Sequence, residues 1–270
     1  MKKADNLDDL KSIVENLRKQ HAKKHPNGTT YVNILFRGQA NASWPLQTTL
    51  ERSKHPRLPT SDYFQRAKRG LPEIESFSGQ RWELEKIVDT ERHRGDSHFD
   101  IPIPVYDYFI YLRHHGFPSP LLDWSESPYI AAFFAYADPV STDNEDVAVH
   151  CYIQSSTEPS GTLDTRAGRP KISWKGPNLT TDKRHFMQKA SYTVAACWDE
   201  KSDQRLYVPH EEAFRADQNR LVKVCLPSAI RTKVLRELDK YNINHFTLFH
   251  DADTLVKTMA MRAFDLNIDD

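Results

Sequence analysis

At 270 residues the chain has room for one large domain or two small ones, and 39% of it is hydrophobic. Its 37 basic side chains balance 37 acidic ones, which removes any global electrostatic case for binding nucleic acid or a membrane surface. No run approaches the ~20 apolar residues of a membrane span.

The opening residues, MKKADNLDDLKSIVENL, carry no apolar core of signal-peptide type. The three cysteines, Cys151, Cys197 and Cys225, are odd in number and fall in expected strands. They read as buried reduced thiols, so a cytoplasmic setting is expected. No spacing of Cys, His or carboxylates points to a metal.

In chain order, Leu7, Leu10, Ile13, Val14 and Leu17 recur at helical spacing and predict an amphipathic helix over residues 6 to 20. The stretch KKHPNGTT breaks it, giving an N-terminal helix and basic linker (residues 1–29) ahead of one globular domain (30–270). YVNILFRGQ, residues 31 to 39, reads as a short strand ending at Gly38. Residues 40 to 60 look irregular, with Trp44, Pro45 and Leu46 as packing anchors. Helices are expected over 61 to 69 and 83 to 92, joined by a polar link, and over 104 to 115.

The most directed stretch is RHHGFPSPLLDWSESPYIAAFFAY, residues 113 to 136. Ser127 suits an N-cap and Pro128 the first helical position, where a missing N–H costs nothing. The expected helix, 128 to 137, puts Ile130, Phe133 and Phe134 on one side and alanines on the other. The polar DWSES cluster then sits in a loop at a helix N-terminus, where backbone N–H groups favour an anion. Further on, strands are expected at 147 to 153, 191 to 198, 221 to 227 and 244 to 249. Helices are expected at 227 to 240 and 253 to 263, and a long loop over 155 to 183. Helices crowd the first half and strands the second, so the fold class is α+β: a helix-rich N-terminal half with a mixed β-sheet core.

Three motifs carry a family resemblance. Phe36-Arg37-Gly38-Gln39, followed by Trp44-Pro45-Leu46 and Arg52, resembles the opening of the FRG domain, named for its Phe-Arg-Gly motif. The central stretch from Arg113 resembles that family's second block, with Arg113, Ser119 and Pro120 in place of its usual Gln, Thr and Arg. Arg184 to Thr193 resembles its Arg-x-x-x-Gln segment entering a strand.

The same residues are similar in order to ADP-ribosyltransferases. Those enzymes use an aromatic-Arg-Gly first strand, a Ser-x-Ser block before an alanine- and phenylalanine-rich helix, and a Glu or Gln entering a later strand. That resemblance implies an ADP-ribosyltransferase-like core with NAD as substrate. Arg37, Ser125 and Gln188 would be the catalytic residues. Arg37, Gly38, Gln39, His114, Asp123, Trp124, Ser125 and Ser127 would hold the dinucleotide. Arg is suited to a pyrophosphate by permanent charge and bidentate geometry. A carboxylate near the ribose helps most when the glycosidic bond breaks, and Gln188 supplies none, so Glu211 and Glu212 are fallback candidates. The implied activity is transfer of ADP-ribose to a macromolecular acceptor or hydrolysis of NAD, as in toxins or phage-defence effectors. The alternative is a non-catalytic module that kept the pocket for a nucleotide or peptide.

Blander readings stand beside these. Asp123 could hold helix-start groups, Trp124 could be a packing wall, and Ser125 and Ser127 could only cap the helix. The glycine patterns of Walker and Rossmann sites and the Gly-x-Ser-x-Gly elbow are absent.

Overall fold

The computed structural model describes residues 1–24, 30–53, 55, 57–84, 98–99, 101, 103–138, 145–154, 163–164, 169–175, 183–215 and 220–266. In chain order the elements are β1 (Lys2–Lys3), α1 (Leu7–His21), β2 (Lys23–Lys24), β3 (Thr30–Tyr31), β4 (Ile34–Gln39), α2 (Thr49–Arg52) and β5 (Leu58–Pro59). Next come α3 (Thr60–Arg69), α4 (Leu71–Ser78), β6 (His98–Phe99), α5 (Ile103–His114), β7 (Leu121–Ser125) and α6 (Pro128–Tyr136). The second half adds β8 (Val147–Ile153), β9 (Leu163–Asp164), β10 (Lys171–Lys175), α7 (Lys183–Met187), β11 (Ala190–Asp199), β12 (Gln204–Tyr207), α8 (His210–Arg215) and β13 (Arg220–Leu226). The chain closes with α9 (Arg231–Lys240), α10 (His245–Phe249) and α11 (Ala252–Ala260), the last running into a π-helical turn, Met261–Asp265. This is a mixed α and β architecture.

Nine strands form one mixed sheet in the order β1-β13-β8-β4-β7-β11-β12-β5, with β10 also paired to β11. The pairing is antiparallel except for β1 along β13. Near its middle the ladder thins. β4 holds β8 through six paired positions, and β7 holds β11 through five, but β4 and β7 share one, Phe36 opposite Ser125.

Each half of the sheet has its own helical cover. α6, α1 and α9 lie on the β4–β8–β13 half, where Leu10, Val14, Phe36, Phe133 and Leu238 are buried together. α3 and α5 cover β7 and β11 through Tyr63, Tyr108, Phe109 and Tyr192. A third cluster draws Leu35 and Tyr152 from one half and Leu122, Trp124, Ala195 and Cys197 from the other. The alternation along β7 divides its side chains accordingly, with Leu121 in the second cluster and Leu122 and Trp124 in the third.

Local signals explain many elements. Asn6 caps α1 by accepting from the Asp9 N–H, and Ser127 caps α6 by accepting from Ile130, with Pro128 at the first turn as expected. The three cysteines are free and buried.

Other expectations are corrected. The strand expected at 244 to 249 is helix α10 (His245–Phe249) with its N-cap: Asn244 and Thr247 make a reciprocal capping box that overrides the β-propensity of Phe246 and Phe249. DWS belongs to strand β7, not to a loop, because pairing to β11 satisfies its backbone. The polar link after α3 holds helix α4, while residues 85 to 92 of the helix expected at 83 to 92 lie outside the described residues. Residues 40 to 60 contain α2 and β5. Of the three anchors there, Leu46 is buried, whereas Trp44 and Pro45 are exposed. Within the expected loop over 155 to 183, Lys171–Lys175 is a strand on β11; most of the remainder lies outside the described residues. The alanine side of α6 faces protein as well: a Cβ on Gly38 would fall 2.0 Å from the Ala131 carbonyl oxygen and 2.5 Å from the Ala135 nitrogen.

Candidate functional site

A cavity of about 810 Å³ opens along the seam between β4 and β7. Its floor is Arg37, Gly38 and Gln39 from β4, Asp123, Trp124 and Ser125 from β7, and Arg113 and His114 from the end of α5. One wall is the segment leaving β4, with Trp44, Pro45, Gln47, Thr49 and Arg52. A second wall is built by Ala131, Phe134 and Asp138 around α6, together with Arg184, Gln188 and Phe249.

Arg37 lies at the centre of this arrangement. Its Nη1 donates to the Asp123 backbone carbonyl (2.8 Å), across the seam where the ladder has lapsed. Its Nε is buried without a hydrogen-bond partner. Burial pulls the guanidinium down to a pKa of about 10; Asp123 opposes that shift, and Arg113 and Arg52 add to it. The group stays cationic at neutral pH, but it is poorly solvated.

Asp123 is held by Arg113, whose Nε and Nη2 donate to its two carboxylate oxygens, while Arg113 Nη1 donates to Thr49 Oγ1 (3.1 Å). Burial raises the Asp123 pKa, but the charge and hydrogen bonds of Arg113, then Arg37 and His114, more than offset it and leave the carboxyl below its usual range. Burial lowers the Arg113 pKa, and the same carboxylate outweighs that and raises it.

Around the floor, polar groups lock one another. Gln39 Nε2 donates to the Pro45 carbonyl (3.1 Å), so its Oε1 is the atom facing His150 Nε2 at 2.6 Å. His150 therefore carries its proton on Nε2. Burial, Lys223 and Arg37 lower its pKa to about 3, so it is neutral at physiological pH.

Ser125 Oγ donates to the Gln188 backbone carbonyl (2.7 Å) and accepts from the Ser127 N–H (3.1 Å), and the Glu126 N–H donates to Lys189 (2.9 Å). The turn at Gln188 and Lys189, where Lys189 has a positive φ of 45°, is thereby pinned to the end of β7. The Gln188 side chain donates to the Leu248 carbonyl (3.1 Å). Arg184 pairs with Asp251 (3.4 Å) and lies over the Phe249 ring at 5.5 Å.

The residues expected from sequence thus largely converge. Arg37, Gly38, Gln39, His114, Asp123, Trp124, Ser125 and Gln188 line the one cavity. Ser127 does not; its hydroxyl caps α6. Glu211 and Glu212 do not line it either, and Glu212 pairs with Arg57. Trp124 lines the cavity while its Nε1 donates to Thr193 Oγ1 (2.8 Å), and its ring packs on Tyr152. Gly38 offers its missing Cβ to α6.

Sequence reasoning missed Arg113 as the partner of Asp123 and missed Phe249; it named Arg184 and Trp44 within its motifs, Trp44 as a packing anchor, but gave neither a place in the site. Arg113 and Asp123 are ten residues apart and meet across α5 and β7, while Phe249 reaches the cavity from a segment far along the chain.

Among the described residues no group of three His, Cys, Asp or Glu side chains is arranged for a metal, and no helix is long and apolar enough to cross a membrane. Comparison with known proteins yields no matching curated protein and no matching solved structure. Residues 32–144, which span β4, α5, β7 and α6 and so contribute most of the cavity lining, match the family model of the FRG domain, and over that stretch the chain has the sequence pattern of that domain.

Proposed function

We propose that the seam cavity binds a dinucleotide, NAD, and that the protein is an ADP-ribosyltransferase-like FRG domain which transfers ADP-ribose to a macromolecule or hydrolyses NAD. The observation that carries this reading is the meeting of Arg37, Ser125 and Gln188, distant in sequence, on one cavity of small-molecule size. Four arginines and two aspartates line it, an excess of positive charge suited to a pyrophosphate. Arg37 would gain most from an anion, because it is cationic, poorly solvated and has a buried Nε without a partner. The pinned Ser125–Gln188 contact would present Gln188 beside the ligand without reorganisation.

A second reading, a non-catalytic binding module, is favoured by one specific feature. The Gln188 amide is committed to Leu248, and the half-buried carboxylate of Asp123 is engaged by Arg113. Neither supplies a free negative charge for an oxocarbenium-like transition state.

The test is incubation of the purified protein with NAD, following free nicotinamide, with Arg37→Ala alongside and its melting temperature as a control for folding. Nicotinamide release by the wild type alone supports the enzyme. Arg37-dependent thermal stabilisation by NAD without release supports the module. Equal NAD binding by wild type and a folded Arg37→Ala protein would sink both.

A further inference from the structure

We infer that the wall formed by residues 44–52 is the seat of a purine nucleoside diphosphate, with Trp44 stacking on the base and Arg52 gripping the phosphates. This rests on the reading of the cavity as a dinucleotide site and assigns the half of that ligand which Ser125 and Gln188 leave unplaced.

Trp44 is the first observation. It is 50% exposed, and unlike the more exposed Phe77 and Phe264 it lines the cavity. Its exposure is not looseness. The Trp44 N–H donates to Asn41 (3.3 Å), and Asn41 Oδ1 accepts from both the N–H and the Oγ of Ser43 (2.7 and 2.6 Å). The next residue is held by Gln39 (3.1 Å), and Ala42 is tied at both backbone groups, to Asp146 (2.7 Å) and Lys223 (2.8 Å). Leu46 then anchors the segment in the core. A half-exposed indole carried into a cavity on a backbone fixed at its neighbours is a ready surface for a flat ring.

Charge is the second and independent observation. Arg52 ends α2, whose start is fixed by the reciprocal capping box of Thr48 and Glu51. Its Nη1 donates to the Gln47 carbonyl (3.0 Å), which orients the guanidinium. Arg52 is close enough to Arg37 to depress its pKa. Among the described residues neither cation has a carboxylate ion pair, because Asp123 is taken by Arg113. Two guanidiniums that repel each other and border one cavity are relieved by a bridging dianion. Base platform and phosphate clamp on one continuous wall are the recognition elements of a nucleoside diphosphate. The other wall, with Gln188 tied to Ser125, is left for the remainder of NAD.

The experiment measures binding of NAD, ADP-ribose and inorganic pyrophosphate by calorimetry, with tryptophan fluorescence followed in parallel. Trp44→Ala should weaken ADP-ribose at least about fivefold and leave pyrophosphate unchanged. Arg52→Gln should weaken both about tenfold or more. Trp44→Phe should retain ADP-ribose binding but lose most of the fluorescence quenching. Both positions are exposed, so all three variants should melt with the wild type. Arg37-dependent binding of ADP-ribose that Trp44→Ala and Arg52→Gln leave intact would overturn this assignment and spare the dinucleotide reading. Equal weakening of pyrophosphate and ADP-ribose by Trp44→Ala would overturn the stacking role. Failure of the wild type to bind any of the three probes would overturn both.

Discussion

Arg113, near the end of α5, and Asp123, in the middle of β7, meet in a two-pronged ion pair at the floor of the seam cavity. The pair joins the helical cover of one half of the sheet to the strand that borders the cavity. It also occupies Asp123 on its side-chain oxygens while Arg37 occupies its backbone carbonyl. One aspartate thus positions two arginines, and the cavity floor depends on it.

Removing Arg113 strands a carboxylate. Arg113→Leu should destabilise the fold by about 2–4 kcal/mol, somewhat below the range for a fully buried pair, because the Asp123 side chain is 37% exposed while that of Arg113 is 8% exposed. The double variant Arg113→Leu/Asp123→Leu should recover at least half of the loss, since no unpaired charge remains. Urea denaturation of the three proteins checks this; a double variant no more stable than the single one would refute the stranded-charge account.

His150 sets a pH dependence. Its folded pKa of about 3 lies below its ordinary value of about 6.5, so in that interval the unfolded chain binds a proton that the folded chain does not. Stability is therefore fully present above about pH 6.5 and is progressively lost as pH falls toward 3. His150→Gln should lower stability at pH 7 through the lost packing but flatten the slope between pH 6 and 4. Denaturation midpoints at three pH values would show it, and an unchanged slope would count against His150 as the source.

Gly38 answers to α6 rather than to flexibility. Gly38→Ala should cost at least about 2 kcal/mol, because its Cβ would meet helix backbone at 2.0 and 2.5 Å and the helix must move. Gly70→Ala, where the new Cβ finds only Ile74 Cδ1 at 3.6 Å, should change stability by less than about 1 kcal/mol. Since α6 also borders the cavity, Gly38→Ala should weaken NAD binding as well. A Gly38→Ala protein as stable as Gly70→Ala would contradict the close approach.

Gln188→Glu tests the missing charge. On the enzyme reading a carboxylate at this position should raise nicotinamide release by about tenfold or more, as expected for electrostatic stabilisation of a developing cation. The substitution also removes the donor to Leu248, so a small loss of thermal stability should accompany it. Release unchanged in a folded Gln188→Glu protein would favour the binding module.

Much of the local structure was legible in the residues themselves. The 3.6-residue spacing of Leu7, Leu10, Val14 and Leu17 places α1, and Ser127 with Pro128 places the start of α6. VAVHCYI reads as a strand and is one, buried throughout. Where the reading failed, a competing local or long-range term won. NHFTLF has the aromatics of a strand, yet two reciprocal capping bonds turn it into a helix. LLDWS has no alternation to reveal it, because protein covers the side chains of Leu121 on one face and of Leu122 and Trp124 on the other.

The candidate site divides in the same way. The family resemblance, read from chain order and residue type, singles out Arg37, the Asp123–Ser125 stretch and Gln188 as candidates. Their convergence, the Arg113–Asp123 pair and the exposure of Trp44 were decided only by tertiary structure. The convergence follows from how β4 and β7 meet at the single pair Phe36 and Ser125 and then part, and the ion pair from the packing of α5 on β7. Caps and periodicities act between neighbours a turn apart, so the sequence carries them openly. The seam is set by packing among segments that lie far apart along the chain, and no local pattern encodes that balance.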